Sequence, residues 1–325
     1  MAEGTEESMK ILCVGEMVAD VVVRPVPVID FNTDSVIVEE ISIRNGGDAL
    51  NTAVGLGKLS DDVVFVGRAG CDMFGRQIVQ IAKEAGVDTG HVVYSRTEEN
   101  SKVIALIRAD GERCFLHRVG SNREFCPEDV GVSVMKRCSH LHIGGTFHLD
   151  AFDGEGAAGV LKTAVELGLT TSMDVAYDHS GRWFELIRCC MPYLTYFVPS
   201  LNEARHMLGS EDCALAASEF KKAGVRNVLI KLGKDGVYCL PETGRAFRCG
   251  SYDVEVVDAT GAGDGFMAGL LSGLAEKRLL EECVIRGSAN AAFVIQAVGA
   301  TSGVPDRKTL LNFIDKQKKP EIVYE

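Results

Sequence analysis

Between residues 254 and 274 the chain reads Val-Glu-Val-Val-Asp258-Ala-Thr260-Gly261-Ala262-Gly263-Asp264-Gly-Phe-Met-Ala-Gly-Leu-Leu-Ser-Gly-Leu. The pattern predicts a short strand ending at Asp258, a tight turn, and an apolar helix beginning near Gly261. The start of such a helix presents unpaired backbone N–H groups and the positive end of its dipole, and small residues let an anion approach closely. Gly261, Ala262 and Gly263 are therefore expected to form a hole for a phosphate or oxyanion. Asp264, in the first turn, is placed to take a proton from a hydroxyl during phosphoryl transfer. The helix N-terminus is expected to lower its pKa and leave a weak base, which a loose transition state with late proton loss tolerates. Asp258 and Asp264 could instead cap the helix. Capping needs one such residue, whereas this turn spends two carboxylates and three small residues.

The elements that must position this turn follow a βαβ alternation, which predicts an α/β fold with a mostly parallel central sheet flanked by helices. Expected strands are 10–15, 63–66, 140–144, 170–174, 196–198 and 227–232. Expected helices are 51–59, 74–85, 155–167, 181–190 and 200–208. Residues 227–232 run through Lys-Asp-Gly into 237–240, a hairpin signal. Two β-branched pairs interrupt the alternation: 18–28 with 36–43, and 103–108 with 113–118. They predict a small second sheet serving as a lid over the site. The expected division is 1–16, 44–100 and 119–325 for the main domain, with 17–43 and 101–118 for the lid. Val21, Val23, Val36 and Val38 alternate with neighbours that are also apolar, which predicts a homodimer formed lid to lid. Burial under helices of the same chain is the alternative.

Composition narrows the class of partner. The 325 residues are 46% apolar and 25% charged, enough for a large core. With 34 Lys and Arg against 46 Asp and Glu, the net charge of −12 argues against nucleic acid as a partner. The eleven cysteines are scattered without Cys-x-x-Cys spacing, as thiols in a reducing compartment would be. The start MAEGTEESMK is polar and acidic, and no apolar run reaches membrane-spanning length. These features predict a cytoplasmic protein without a membrane partner.

The Asp258–Asp264 string resembles the signature of the ribokinase-like (PfkB) carbohydrate kinases, and further segments match that family in order along the chain. Gly15-Glu-Met-Val-Ala-Asp20 is similar to the family's first strand, which implies that Asp20 contacts substrate hydroxyls. Gly46-Gly47-Asp48-Ala49-Leu50-Asn51 is similar to its di-glycine segment, which implies that Gly46, Gly47 and Asn51 hold the sugar. Val66-Gly67-Arg-Ala-Gly70-Cys-Asp72-Met-Phe-Gly75 is similar to another family landmark. Lys231-Leu-Gly233-Lys-Asp-Gly236 resembles the nucleotide-side strand and turn, and Asn290 with Val298-Gly299-Ala300-Thr-Ser-Gly303-Val-Pro305 resembles the segment closing over adenine. The resemblance implies an ATP-dependent kinase using Mg²⁺, with Asp264 as catalytic base and a sugar or sugar-containing acceptor. Where the family often has Asn-x-x-Glu, this chain has Ser200-Leu-Asn-Glu203, which leaves Glu203 to organise Mg²⁺ through water. A monovalent cation of the K⁺ type is implied beside the anion hole, at Asp258, Thr260 and Gly299; Gly303 stands where some relatives carry a hydroxyl.

Other readings remain open at this point. Asp48-Ala49-Leu50 is closer to some nucleoside kinases of the same fold, whereas the 111–117 hairpin looks like that of sugar kinases. A nucleoside, including a C-nucleoside, is thus an alternative acceptor. Gly154-Glu-Gly156-Ala-Ala-Gly159 matches a dinucleotide fingerprint but does not directly follow a strand, which weighs against an NAD-dependent oxidoreductase. A non-catalytic sugar-binding regulator would need a degraded base or anion hole, and neither is degraded. His140, His142 and His148 could suggest a metal site, yet no Cys or carboxylate partner is placed beside them.

Overall fold

The computed structural model describes residues 9–325 apart from 28, 30, 31, 33 and 111, with the backbone alone at Arg113. The acidic start at 1–8, the last residue of the 18–28 run and one turn residue of the 109–112 link thus lie outside the described residues.

The main sheet has nine strands. Six are parallel, in the spatial order Asn227–Lys231, Tyr196–Phe197, Thr170–Val175, His140–Thr146, Ile11–Gly15 and Val63–Val66. Val237–Leu240, Phe247–Cys249 and Ile322–Tyr324 extend the Asn227 side antiparallel. Strand Ile11–Gly15 is buried at every position because both faces are covered. Leu12 and Val14 join one core, while Ile11 and Cys13 join the other. Strand order reverses at Ile11–Gly15: the chain continues to Val63–Val66 on one side and later fills the other side from His140 onward. In open parallel sheets the crevice for ligands lies at the carboxyl ends of strands beside such a reversal. Gly15, Thr146, Val175 and Lys231 end their strands there.

The second sheet has four strands, ordered Glu40–Gly46, Val18–Arg24, Lys102–Ile107 and Arg113–Arg118. The expected strand 36–43 is displaced: pairing begins at Glu40 and runs to Gly46, opposite Val18. Asn45 and Gly46 therefore belong to this sheet, past the boundary expected at 43. Val36 and Ile37 lie outside it, with Ile37 95% exposed.

Two further expectations are corrected. Residues 254–258 form no strand; the Val257 and Asp258 N–H groups both donate to the Ile295 carbonyl, at 2.8 and 3.1 Å. The segment 181–190 is helical only from Trp183, and after Ile187 it tightens into a 3₁₀ turn carrying Pro192. Gly154–Gly159 opens the helix Glu155–Glu166 and packs toward Pro127 and Leu186, which is a packing role and not a dinucleotide loop.

Helix Ala262–Ala275 is buried along nearly its whole length. It lies against Leu280–Val294, and Gly269 sets the separation: a Cβ there would stand 2.6 Å from the Arg286 carbonyl oxygen. Backbone blocks the space, so no rotamer change relieves it. Gly269→Val should therefore destabilise the fold by about 1–3 kcal/mol, the usual cost of overpacking. Urea unfolding checks this, and an unchanged midpoint would contradict the close-packing account.

Candidate active site

The helix Ala262–Ala275 starts from Gly261, held at φ +74°, where a Cβ would press on Ala300 at 2.5 Å. The N-cap residue, Gly261, has no side chain to offer this N-terminus. Asp264 Oδ2 accepts from Asn51 Nδ2 at 2.8 Å. Asn51 Oδ1 in turn accepts from Asn45 Nδ2 at 2.7 Å, and Asn45 Oδ1 accepts from Thr301 Oγ1 at 2.9 Å. This chain of amides fixes the Asp264 carboxylate from a lid strand and from the last loop. Asn51, expected to hold substrate, is first of all the residue that orients Asp264. Asn45 and Thr301 escaped the sequence reading because only their convergence in space gives them a role.

Lys231, at the end of its strand, reaches the same helix start: a Cβ on Gly263 would lie 3.2 Å from its Nζ. Burial pulls the Lys231 ammonium down, and the fields of Glu203, Asp174, Asp264 and Asp48 more than reverse this, so its pKa rises. Asp264 shifts well above the ordinary carboxylate range, through burial first and then Asp48 and Asp174; Asn51 and Lys231 pull the other way. The helix N-terminus does not set the direction, contrary to the expectation of a lowered pKa. Asp174 is likewise raised by burial, and one of its oxygens is buried without a hydrogen-bond partner.

Toward the first strand lies a second acidic group. The Asp20 carboxylate rests against Gly46, where a Cβ would stand 2.4 Å from both oxygens. Burial, then Glu16 and Asp48, pushes Asp20 up to about 7. Gly47 turns the chain into the helix Asp48–Lys58, and Asp48 in its first turn is pushed up to about 6 by burial and Glu16. His148 Nδ1 meets buried Glu16 at 3.1 Å; burial alone would lower its pKa, but Glu16 carries it up to about 9. His140 and His142 are elsewhere, buried on Ser172 Oγ at 2.8 and 2.9 Å and pushed down to about 3 by burial. Glu16, Asp48 and Asp174 were given no site role from sequence, although Glu16 and Asp48 stand inside quoted motifs; His148 was weighed only as a metal ligand without a carboxylate beside it, and the structure gives it Glu16.

On the other side of Lys231 a cavity of about 310 Å³ opens. Gly233, Gly236, Gly263 and Glu203 line it, together with Phe266, Ser288 and Ala291. Asn290 does not. It is fully buried, and its Nδ2 donates to the Gly265 carbonyl at 2.8 Å, clamping two helices. Ser288 and Ala291, three apart on one helix face, present the cavity wall instead. Glu203 closes a capping box with Ser200, its Oε2 accepting from Ser200 N at 2.6 Å. Asp258 accepts from Thr260 N and from Gly299 N, both at 2.9 Å, and so ties the turn to the last loop. Ala262 N–H closes a turn on Ala259 O at 3.3 Å, so it is not free to face an anion as expected. Among the described residues no group of three or more His, Cys, Asp or Glu could by itself hold a metal ion.

The pattern of the pfkB family carbohydrate kinases matches residues 8–307. The 2-dehydro-3-deoxygluconokinase of Bacillus subtilis is 27% identical over 281 residues, covering 84% of this chain and 87% of that protein. The structure of Arabidopsis thaliana ribokinase complexed with ribose and ATP superposes with a TM-score of 0.84 at 22% identity, over 95% of this chain and 100% of that one. Ribokinase from Thermotoga maritima gives a TM-score of 0.81 at 23% identity, over 95% and 100%. The chain belongs to the pfkB family of carbohydrate kinases and has the ribokinase-like fold; it is an ATP-dependent sugar kinase.

The charges around Asp264 predict a signed pH effect. A carboxylate at Asp264 acting as a base would have to be ionised, so kcat/KM should then rise with pH through a limb above the ordinary carboxylate value of about 4. Lys231→Met removes a charge that favours ionisation and should move this limb to higher pH. Asp48→Asn removes a like charge and should move it lower. Profiles of kcat/KM against pH check both, and a limb that moves the opposite way in either variant would refute the assignment.

Proposed function

We propose that Asp264 is the base that takes the acceptor's proton while the γ-phosphoryl of Mg-ATP passes to that hydroxyl. The observation that carries this is a helix start at Gly261 where a buried carboxylate oriented by Asn51 lies in the field of the Lys231 ammonium, which reaches Gly263. The raised pKa helps the role, because a more basic carboxylate accepts an alcohol proton more readily once ionised. Gly263 and Gly261 offer backbone N–H groups to the transferring phosphoryl, and Lys231 adds a positive charge there. Lys231, Gly233 and Gly236, with Ser288 and Ala291, receive the nucleotide in the cavity. Asp20, Gly46 and Gly47 bound the acceptor, with Asn51 reaching it through the remaining N–H of its amide.

Magnesium fits as an ion carried by the phosphates and steadied through water. Glu203 lines the nucleotide cavity, and Asp174 keeps one buried oxygen unpartnered. When bound, the ion neutralises phosphate charge. The residues' part is to face it with carboxylates and to keep Lys231 protonated nearby.

A neutral sugar suits the acceptor side, where Glu16, Asp20 and Asp48 outnumber the single His148 cation. A nucleoside is the second reading. The loop beyond Thr170–Val175 sets His179 parallel to His148 at 6.0 Å and Tyr177 edge-on to His179 at 5.1 Å, rings of the kind that stack on a base. An ATP-consumption screen against hexoses, pentoses, keto-sugar acids and nucleosides separates the two. Asp264→Asn should lower kcat on the best acceptor by ~10²–10⁴-fold with ATP binding nearly intact. A variant turning over at the wild-type rate would sink the assignment.

The second sheet acts as the lid, and two chains pair through it. Registered positions put Val21, Val23, Ile41, Ile43, Ile104, Leu106 and Leu116 on one face. The opposite face carries Asp20, Arg44 and His117, and the His117 ring lies 6.3 Å from that of His148 in the main domain. At Ile41 and Leu116 this apolar face turns away from the chain's own body, while near the strand's end Ile43 and Asn45, on the same face, meet the main domain. Ile41 at 68% and Leu116 at 55% exposure are not covered by its helices, which favours a second copy over intrachain burial. None of the eleven cysteines is in a disulfide, which suits a reducing, cytoplasmic setting. Among the described residues no helix is long and apolar enough to cross a membrane. Light scattering at micromolar concentration should give a dimer, and Val21→Lys should shift it to monomer; a wild-type monomer would refute the pairing.

A further inference from the structure

Arg44 stands on the lid strand Glu40–Gly46, opposite Asp20 and on the face toward the main domain. Its Nη1 donates to the Val298 carbonyl and, at 3.1 Å, to Ser302 Oγ. Its Nη2 meets Glu40 at 2.9 Å, and Glu40 also accepts from Arg24 at 2.6 Å. Those bonds, from Arg24, Ser42 and Arg44, hold the Glu40 carboxyl at about 2, so it stays ionised between two guanidinium groups. The guanidinium lies so close to the last loop that a Cβ on Gly299 would come within 2.6 Å of Nη1. Gly299 is the residue whose N–H is bonded to Asp258 beside the anion hole.

We propose that Arg44 supplies, from the lid, the fixed positive charge of the loop Val298–Ser302, so that this kinase needs no monovalent cation there. A potassium-type ion is held by carbonyl and hydroxyl oxygens that have no stronger donor. Here Val298 O and Ser302 Oγ already receive N–H groups from a guanidinium, which is always protonated. Gly303 offers no side-chain oxygen in exchange. Both Asp258 oxygens accept backbone N–H groups. A second cation within a few ångströms would also meet like-charge repulsion in a partly dry site. Asp258, Thr260 and Gly299 therefore form a loop clamp in this chain, with Arg44 in place of the ion. Because the charge is carried on a lid strand, the loop over the nucleotide and the lid over the acceptor are ordered together.

This inference rests on the kinase reading, and its test is chosen to stand apart from it. The wild type and Arg44→Met are compared in KCl and in N-methyl-D-glucamine chloride of equal ionic strength, by thermal unfolding without nucleotide and by ATP binding. Wild-type Tm and ATP affinity should be the same in both salts. Arg44→Met should lose on the order of tenfold in ATP affinity in the organic salt and recover most of it in potassium, with a rise of a few degrees in Tm. A wild type stabilised by potassium over the organic cation, or an Arg44→Met variant indifferent to it, overturns the proposal. If Arg44→Met does not fold, Arg44→Gln retains a donor to Val298 O without the charge, and its indifference to potassium is equally fatal. Absence of ATP binding by the wild type in every salt would defeat the kinase reading, while the Tm comparison still decides the role of Arg44.

Discussion

A carboxylate buried among other carboxylates would ordinarily protonate, and a protonated Asp264 could not take an acceptor's proton, the role proposed for it. What keeps it usable is its contact with the Asn51 amide and the field of Lys231, and much of the fold serves to bring these three together. Lys231 must end a central strand, because only a strand end reaches the helix start at Gly263. Asn51 must sit one turn into a helix that begins directly after Gly47. The helix Ala262–Ala275 must lie close enough to Leu280–Val294 for Asn290 to clamp the Gly265 carbonyl, which the bare backbone at Gly269 permits.

The site as a whole carries a carboxylate excess: Glu16, Asp20, Asp48, Asp174, Glu203 and Asp264 against Lys231 and His148. Burial and mutual repulsion oppose this charge, pushing Asp20, Asp48, Asp174 and Asp264 upward. A nucleotide arriving as the magnesium complex brings cationic charge with its phosphates and lowers the repulsion that a bare triphosphate would meet. The acidic walls thus favour the same species that the transfer requires. Lys231, nearly enclosed, bridges the two halves: it faces Gly263 on the proposed phosphate path and lowers the pKa of Asp264, the group proposed to take the proton.

The sequence was most legible where one local element decides the answer. Alternating apolar runs and helical periods located the parallel sheet within a residue or two, because both faces of each strand are buried and no other reading fits. The Gly261 helix start was legible because a positive φ packed against Ala300 demands a glycine there. Legibility failed where a neighbour in space decides. Asn290 looks like a nucleotide ligand along the chain, yet its helix rotates it into the seam with Ala262–Ala275 and turns Ser288 and Ala291 outward. Residues 254–258 carry β-branched types, yet the 257 and 258 N–H groups go to the carbonyl of Ile295 at the end of a helix, so they pair with no strand. Asp264 was expected to be acidic from its helix position, but burial, and after it the charges of residues 48 and 174 far away along the chain, reverse this.

The lid strand Glu40–Gly46 shows how such distant dependencies are organised. Three consecutive side-chain positions serve three places: Arg44 reaches the Val298–Ser302 loop, Asn45 orients Asn51 and hence Asp264, and Gly46 leaves room for Asp20. Alternation along a strand sends Arg44 and Asn45 to opposite faces, so a one-residue slip against Val18–Arg24 would misdirect all three at once. That register is fixed by seven paired positions from Val18–Gly46 to Arg24–Glu40. The strand is therefore more than a cover over the acceptor. Its pairing sets the orientation of the base and the charge on the nucleotide loop, and a lid displaced from the main domain would lose both before it lost contact with substrate.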